Sequence, residues 1–209
     1  MNDLYNNLTA YGTCSATKLR IPNPDKFVSW TEENFTYVKY NPRKDINRFG
    51  LSITSLDGGL SGIPDLDSLP EYNKEHNTQI HETHFNVPTP VYEYSGLKKI
   101  LEPIKDHICR SHILKISPGG YFPPHRDYRR NVFSTFRLLI PLQNMNPPSS
   151  VFIIEDKIQH WEEGTMYFVD TAKMHYLFNA GFSPSYMVVV NAVINSDTVN
   201  YVTTNLKYM

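Results

Sequence analysis

Cysteine is scarce in this chain. Cys14 and Cys109 are the two in 209 residues, and they stand in no metal-binding spacing. A disulfide-stapled fold is thereby excluded; one lone bridge is conceivable, but a reduced, cytosolic pair is the expectation. No charge of one sign prevails either. Twenty Lys and Arg face 21 Asp and Glu, for a formal net charge of −1, so the electrostatic footprint of a nucleic-acid-binding protein is missing. The densest basic run, Arg126, Arg129 and Arg130, is short and reads as a solvated loop. No apolar run approaches 18 residues, and the opening MNDLYNNLTAYG lacks the basic and apolar regions of a secretory leader. Membrane-spanning and secreted proteins are therefore disfavoured, and a cytoplasmic location is expected. Internal repeats and low-complexity segments are absent as well.

What the chain does have is an ordinary globular composition, 40% hydrophobic and 20% charged, with 14 Tyr and 11 Phe. Runs of Tyr, Phe, Val, Ile and Thr broken by 15 Pro and 10 Gly lean towards β structure. The length suits one domain, residues 1–209. Residues 1–60 mix strand-like runs, such as Phe35–Tyr40 and Leu51–Thr54, with turn signals, and 61–90 read as a functional loop or lid. Ser95–Cys109 shows helical spacing through Leu97, Ile100, Leu101, Ile104 and Ile108, with Ser95 a plausible cap and Pro103 predicting a kink or a late start. After residue 110 strands follow at short intervals: His112–Ser117, Thr135–Gln143, Val151–Asp156, Thr165–Asp170, His175–Asn179 and Tyr186–Ile194. The expectation is a mainly β sandwich or barrel core over 111–195, with 1–110 as helical and strand decoration.

One constellation carries chemistry. His125-Arg126-Asp127 follows a Pro-Gly-Gly turn, and in an extended chain residues i and i+2 share a face, so an imidazole and a carboxylate can converge on one ion. They supply two parts of the facial triad that suits non-haem Fe(II) and leaves positions open. The third would come from a later strand, and His175 opens a strand-like segment 48 residues after Asp127. By itself the tripeptide also suits a polar pair near a turn; its surroundings shift the balance towards a metal site.

The pieces ISPGGYFPPHRDY, TFRLLIPL, GTMYFVDTAKMHYLFNAG and YMVVVNAVI, from about Ile113 to Ile194, resemble the double-stranded β-helix (jelly roll) of Fe(II)/2-oxoglutarate-dependent oxygenases. Within these the chain is similar to the aspartyl/asparaginyl β-hydroxylase branch, which includes bacterial cis-4-proline hydroxylases; residues before 110 match only diffusely. The resemblance implies that His125, Asp127 and His175 hold Fe(II), with 2-oxoglutarate and O2 as co-substrates. It implies a hydroxylase acting on an amino-acid side chain, free or within a peptide. The family needs a cation for the distal carboxylate of 2-oxoglutarate, and Arg137 in the apolar run Phe136–Leu142 is the candidate, because a guanidinium takes a carboxylate bidentately and stays charged when buried. An outward-facing strand arginine is the other reading. Many relatives place an arginine about ten residues beyond the distal histidine. Here Ser183-Pro184-Ser185-Tyr186 stands there, and Ser185 and Tyr186 are candidate hydroxyl donors to the co-substrate.

Outside the barrel motif, Arg48 in NRFGLSITSLDGGLS is a candidate substrate contact, with plain strand-and-turn structure the alternative. His81-Glu82-Thr83-His84 is read as a solvated or substrate-facing loop in preference to a second metal site. Glu155, Asp156 and Asp170 read as turn or supporting residues; Asp170 could orient His175 if it folds back. The alternative to an enzyme is a catalytically inactive β-helix serving as a binding or structural module, to which the missing downstream arginine would point. A nucleobase oxygenase is disfavoured by the neutral charge. Neither a nucleic-acid nor a membrane partner is expected, and oligomeric state is left open.

Overall fold

In the run Thr135–Gln143, neighbouring side chains part company. Phe136, Leu138, Ile140 and Leu142 pack into one hydrophobic cluster, whereas Leu139 belongs to a second cluster on the opposite face. A strand buried on both sides loses the usual apolar–polar alternation, which explains the unbroken apolar stretch. The computed structural model describes residues 3–127 and 134–207. Arg129 and Arg130 of the basic run lie outside the described residues.

In chain order the elements are α1 (Asp3–Thr9), β1 (Cys14–Arg20), α2 (Pro24–Asn34), β2 (Val38–Lys39), β3 (Arg48–Ser52), β4 (Thr54–Ser55), α3 (Leu69–His76), β5 (Val87–Pro88), α4 (Ser95–Leu101), β6 (Ile108–Ile116), β7 (Tyr121–His125), β8 (Thr135–Gln143), β9 (Ser150–Ile154), β10 (Lys157–Ile158), β11 (Thr165–Val169), β12 (His175–Asn179), β13 (Ser185–Val193) and α5 (Ser196–Thr204). A seven-stranded sheet runs β1-β11-β8-β13-β6-β3-β2, a four-stranded sheet runs β10-β9-β12-β7, and β4 pairs with β5. The paired strands are antiparallel throughout both main sheets.

The two sheets enclose the second cluster, to which β6 gives Leu114 and Ile116, β9 Phe152 and Ile154, β12 Leu177 and β13 Met187. The other face of the large sheet packs on helices through the first cluster, where Phe27 and Val28 of α2, Leu97 and Leu101 of α4, and Val199 and Val202 of α5 are buried. Each side chain so covered contributes about 1.5–3 kcal/mol. This is the double-stranded β-helix that the sequence led us to expect.

Two local differences are informative. The helix over 95–109 stops at Leu101; a 3-10 segment, Glu102–His107, follows with Ile104 out of helical geometry, and β6 begins at Ile108. Pro103, lacking an N–H, ends the α-helical ladder rather than kinking it. Residues 1–110 are also more than decoration, because β1 and the β3–β2 pair form both edges of the large sheet. Cys14 and Cys109 are free thiols, and no helix of the described residues is long and apolar enough to cross a membrane.

Candidate metal centre and cavity

β7 and β12 lie side by side in the small sheet, with His125 directly opposite His175. The register slips between this pair and the next, Phe122 opposite Leu177. That bulge lets Phe122 and His125, three residues apart, both face the interior. Just past the strand end, Asp127 donates its N–H to the Thr171 carbonyl (3.1 Å) and Arg126 donates to Ala172 O (3.3 Å), strapping the His-x-Asp turn to the segment before β12. The carboxylate is thereby brought under both imidazoles: Asp127 Oδ1 lies 3.4 Å from His125 Nε2 and 3.8 Å from His175 Nε2. One ligand atom from each of the three lies within 4.8 Å of the others, and among the described residues no other trio of His, Cys, Asp or Glu converges in this way. The His81–His84 segment therefore forms no such cluster.

The remaining ring nitrogens are committed. His125 Nδ1 sits 2.7 Å from the Pro123 carbonyl and His175 Nδ1 3.0 Å from the Lys173 carbonyl. A carbonyl only accepts, so both Nδ1 atoms carry a proton, and in the neutral rings both Nε2 atoms are the acceptors facing the shared space, the arrangement that metal-bound histidines adopt. Two imidazole nitrogens and one carboxylate oxygen on one side of a cavity fit a divalent ion with open positions, and Fe(II) suits such a donor set. Asp170 does not reach His175; its carboxylate accepts from the Tyr5 hydroxyl (2.5 Å) and from Ala172 N (3.2 Å).

Charge around the trio is organised by arginine. Arg137 Nε donates to Asp127 Oδ2 (3.0 Å) and its terminal nitrogen to Glu82 Oε1 (3.2 Å). Glu82 also receives Arg110 (3.1 Å) and the Thr135 hydroxyl (3.3 Å). Burial by itself would raise the Asp127 pKa, but the Arg137 guanidinium and then His125 outweigh it and hold the carboxyl well below the usual range. Burial likewise opposes ionisation of Glu82, yet Arg137 and Arg110 pull its pKa down to about 2. His175 is lowered by burial, which Asp127 offsets only in part, so this imidazole is neutral and able to ligate. His125, less enclosed, is raised because Asp127 more than offsets its burial.

Above the trio the sheets enclose a space of about 100 Å3 with Leu139, Phe152, Leu177 and Met187 as apolar walls. Tyr40, Phe122 and His112 line it too. His112 is pushed down to about 3, first by burial and then by Arg110 and Arg137, so it is a neutral hydrogen-bonding group in the wall.

The other candidates fall out as follows. Ser185 is fully buried but bonded to Ser150 Oγ (2.6 Å) and Asn144 O (2.9 Å), and Tyr186 points to the helix side, donating to Glu32 of α2 (2.9 Å). Tyr186 alternates away from the inner positions of Met187 and Val189, whereas Ser185 shares their face but lies at the strand's start, tied to Ser150 and Asn144, and neither lines the cavity. Arg48 lies in β3, 3% exposed, with its guanidinium carbon 4.1 Å from the Phe122 ring and 5.5 Å from that of Tyr40. Sequence reasoning missed Glu82, Tyr40 and His112. A signal existed for the first: a buried arginine in β8 demands an acid, and the lid segment carries several.

A jelly roll whose small sheet presents two imidazoles and a carboxylate to an internal cavity is the architecture of the Fe(II)/2-oxoglutarate oxygenases. Residues 88–193 match the family model described as aspartyl/asparaginyl beta-hydroxylase, and the chain belongs to that family. A 2OG-Fe(II) oxygenase-family oxidoreductase from Burkholderia pseudomallei superposes over 92% of this chain and 89% of its own, with a TM-score of 0.50 and 13% identity. The viral collagen prolyl hydroxylase of Paramecium Bursaria Chlorella virus-1, solved with 2OG, aligns over 90% of this chain and 99% of its own (TM-score 0.48, 8% identity). A cupin domain from Bordetella pertussis aligns over 42% of this chain and 73% of its own (TM-score 0.32, 15% identity). No curated protein sequence matches.

Proposed function

We propose that this chain is an Fe(II)- and 2-oxoglutarate-dependent dioxygenase that hydroxylates an amino-acid or peptidyl side chain, with His125, Asp127 and His175 as the metal ligands and 1–209 acting as one oxygenase unit. The observation that carries this reading is the trio itself: one ligand atom from each of the three residues within 4.8 Å of the others, beside a cavity between the sheets. Iron with 2-oxoglutarate and O2 supplies the oxidising chemistry, in which a C–H bond is hydroxylated and 2-oxoglutarate becomes succinate and CO2.

The chain's own part is positioning. The Pro123 and Lys173 carbonyls fix the imidazole tautomers, and Arg137 holds Asp127 ionised and oriented through its 3.0 Å bond. With the guanidinium spread between Asp127 and Glu82, Arg137 is engaged at the metal side of the cavity and serves Asp127 in this reading. Leu139, Phe152 and Leu177 give the cavity beside the trio an apolar lining.

The test is substrate-dependent formation of succinate from 2-oxoglutarate, screened against free amino acids and short peptides. His125→Ala and Asp127→Ala should each reduce it to background while the protein stays folded. A wild-type protein that takes up neither iron nor 2-oxoglutarate would end the enzymatic reading.

A further inference from the structure

Arg48 is a cation without an anion. Among the described residues no carboxylate lies within ion-pair distance of it, and its Nε makes no hydrogen bond. The residue is nevertheless 3% exposed. A buried charge in this state costs several kcal/mol unless something compensates it. Its flat faces are covered by aromatic rings, which offset part of that cost, but the in-plane N–H groups are not satisfied by rings.

Its direction follows from the sheet. Arg48 stands opposite Ile116 across the β3–β6 pair, and Ile116 stands opposite Ser185 across β6–β13. Directly opposite residues share a face, and Ile116 belongs to the cluster between the sheets. The guanidinium therefore enters the sandwich, where it meets Phe122 and Tyr40, two residues of the cavity wall. Phe122 in turn stacks on the ligand candidate His125, with ring centres 6.1 Å apart. Phe122 thus stands between the ligand candidate His125 and Arg48, which lies directly behind the wall residues Phe122 and Tyr40 of the cavity.

We propose that Arg48 receives the distal carboxylate of 2-oxoglutarate, the oxo-acid end lying at the metal. This rests on the dioxygenase reading and adds to it the anchor of the co-substrate. It places the cation two strands from Ser185, in the same cross-strand row, and leaves Arg137 to Asp127. A guanidinium already stacked and short of acceptors is pre-organised for a bidentate carboxylate.

The test is calorimetric and needs no turnover. Anaerobic protein loaded with Mn(II) is titrated with 2-oxoglutarate and with 2-oxopentanoate, which has the same chain length and no distal carboxylate. The wild type should prefer 2-oxoglutarate by about 100-fold, the scale of a lost charge-assisted pair. Arg48→Met should bind Mn(II) normally, lose that preference, and bind 2-oxopentanoate as the wild type does. Arg48→Lys, which keeps the charge and loses the fork, should fall between and covers the case in which Met at this site disturbs folding. A preference retained in both variants overturns the proposal. Wild-type protein that binds Mn(II) but neither oxo acid would instead remove the dioxygenase reading beneath it.

Discussion

Glu82 sits between two guanidiniums, Arg110 at 3.1 Å and Arg137 at 3.2 Å, with its side chain about one-quarter exposed at 26%. Neither arginine is comfortable without it, since both lie in mostly enclosed positions on β6 and β8. The pKa drop from the ordinary 4.5 to about 2 is also a stability statement. A carboxyl whose folded pKa is depressed contributes stability above its unfolded pKa, and that contribution disappears as pH falls through the folded one. The shift corresponds to roughly 3 kcal/mol. Glu82→Gln should therefore lower stability at pH 7 by about that amount, measured by urea unfolding. The two proteins should converge as the pH is lowered from 4.5 towards 2; a constant gap across that range would show that packing, not charge, is what glutamine lost. Asp127, whose carboxyl is likewise held below the usual range, follows the same rule, and its partner Arg137 joins the two acids into one network.

At the scale of elements, the decisive piece is the Pro118-Gly119-Gly120 turn before β7. Gly119 has φ +75° with open space around it, while a Cβ on Gly120 would come within 2.3 Å of the Asn47 carbonyl oxygen and 2.8 Å of that of Ser117. The same turn exchanges hydrogen bonds with Asn179 at the end of β12, Gly119 N to Asn179 O (3.0 Å) and Asn179 N to Gly120 O (2.9 Å). It therefore sets the distance between β7, which carries His125, and β3, which carries Arg48. Gly119→Ala should cost about 1 kcal/mol, the penalty for an L residue in left-handed geometry. Gly120→Ala should cost about 3 kcal/mol, because backbone must move and no flexible side chain can yield. Thermal melts of the two variants decide it; equal shifts would mean that β3 is free to retreat from the turn.

For the molecule as a whole, the candidate metal centre joins the two strands of β7 and β12 to the turn at Asp127, none of which an unfolded chain would hold together. A ligand that binds only the folded state stabilises it by about 2.7 kcal/mol at one hundred times its Kd. For a chain of this size that is a rise in Tm of about 5–10 °C. Addition of Fe(II) under nitrogen should produce it, EDTA should reverse it, and His175→Ala should show none of it.

The legible part of this protein was local in sequence. His125 and Asp127 are two residues apart, the strand containing His175 announces itself by pattern, and the short strands after residue 110 fall where Pro and Gly break them. Tertiary structure decided the rest for a physical reason: a charge finds its partner through space. Whether Arg137 would face a co-substrate or Asp127 depended on how the turn after β7 is strapped to residues 171–172. That Glu82 would turn inward depended on Arg110, 28 positions away. Arg48 reads in sequence as one polar residue in a short strand; only the pairing of β3 with β6 carries it between the sheets, beside Phe122, without an acid to meet it.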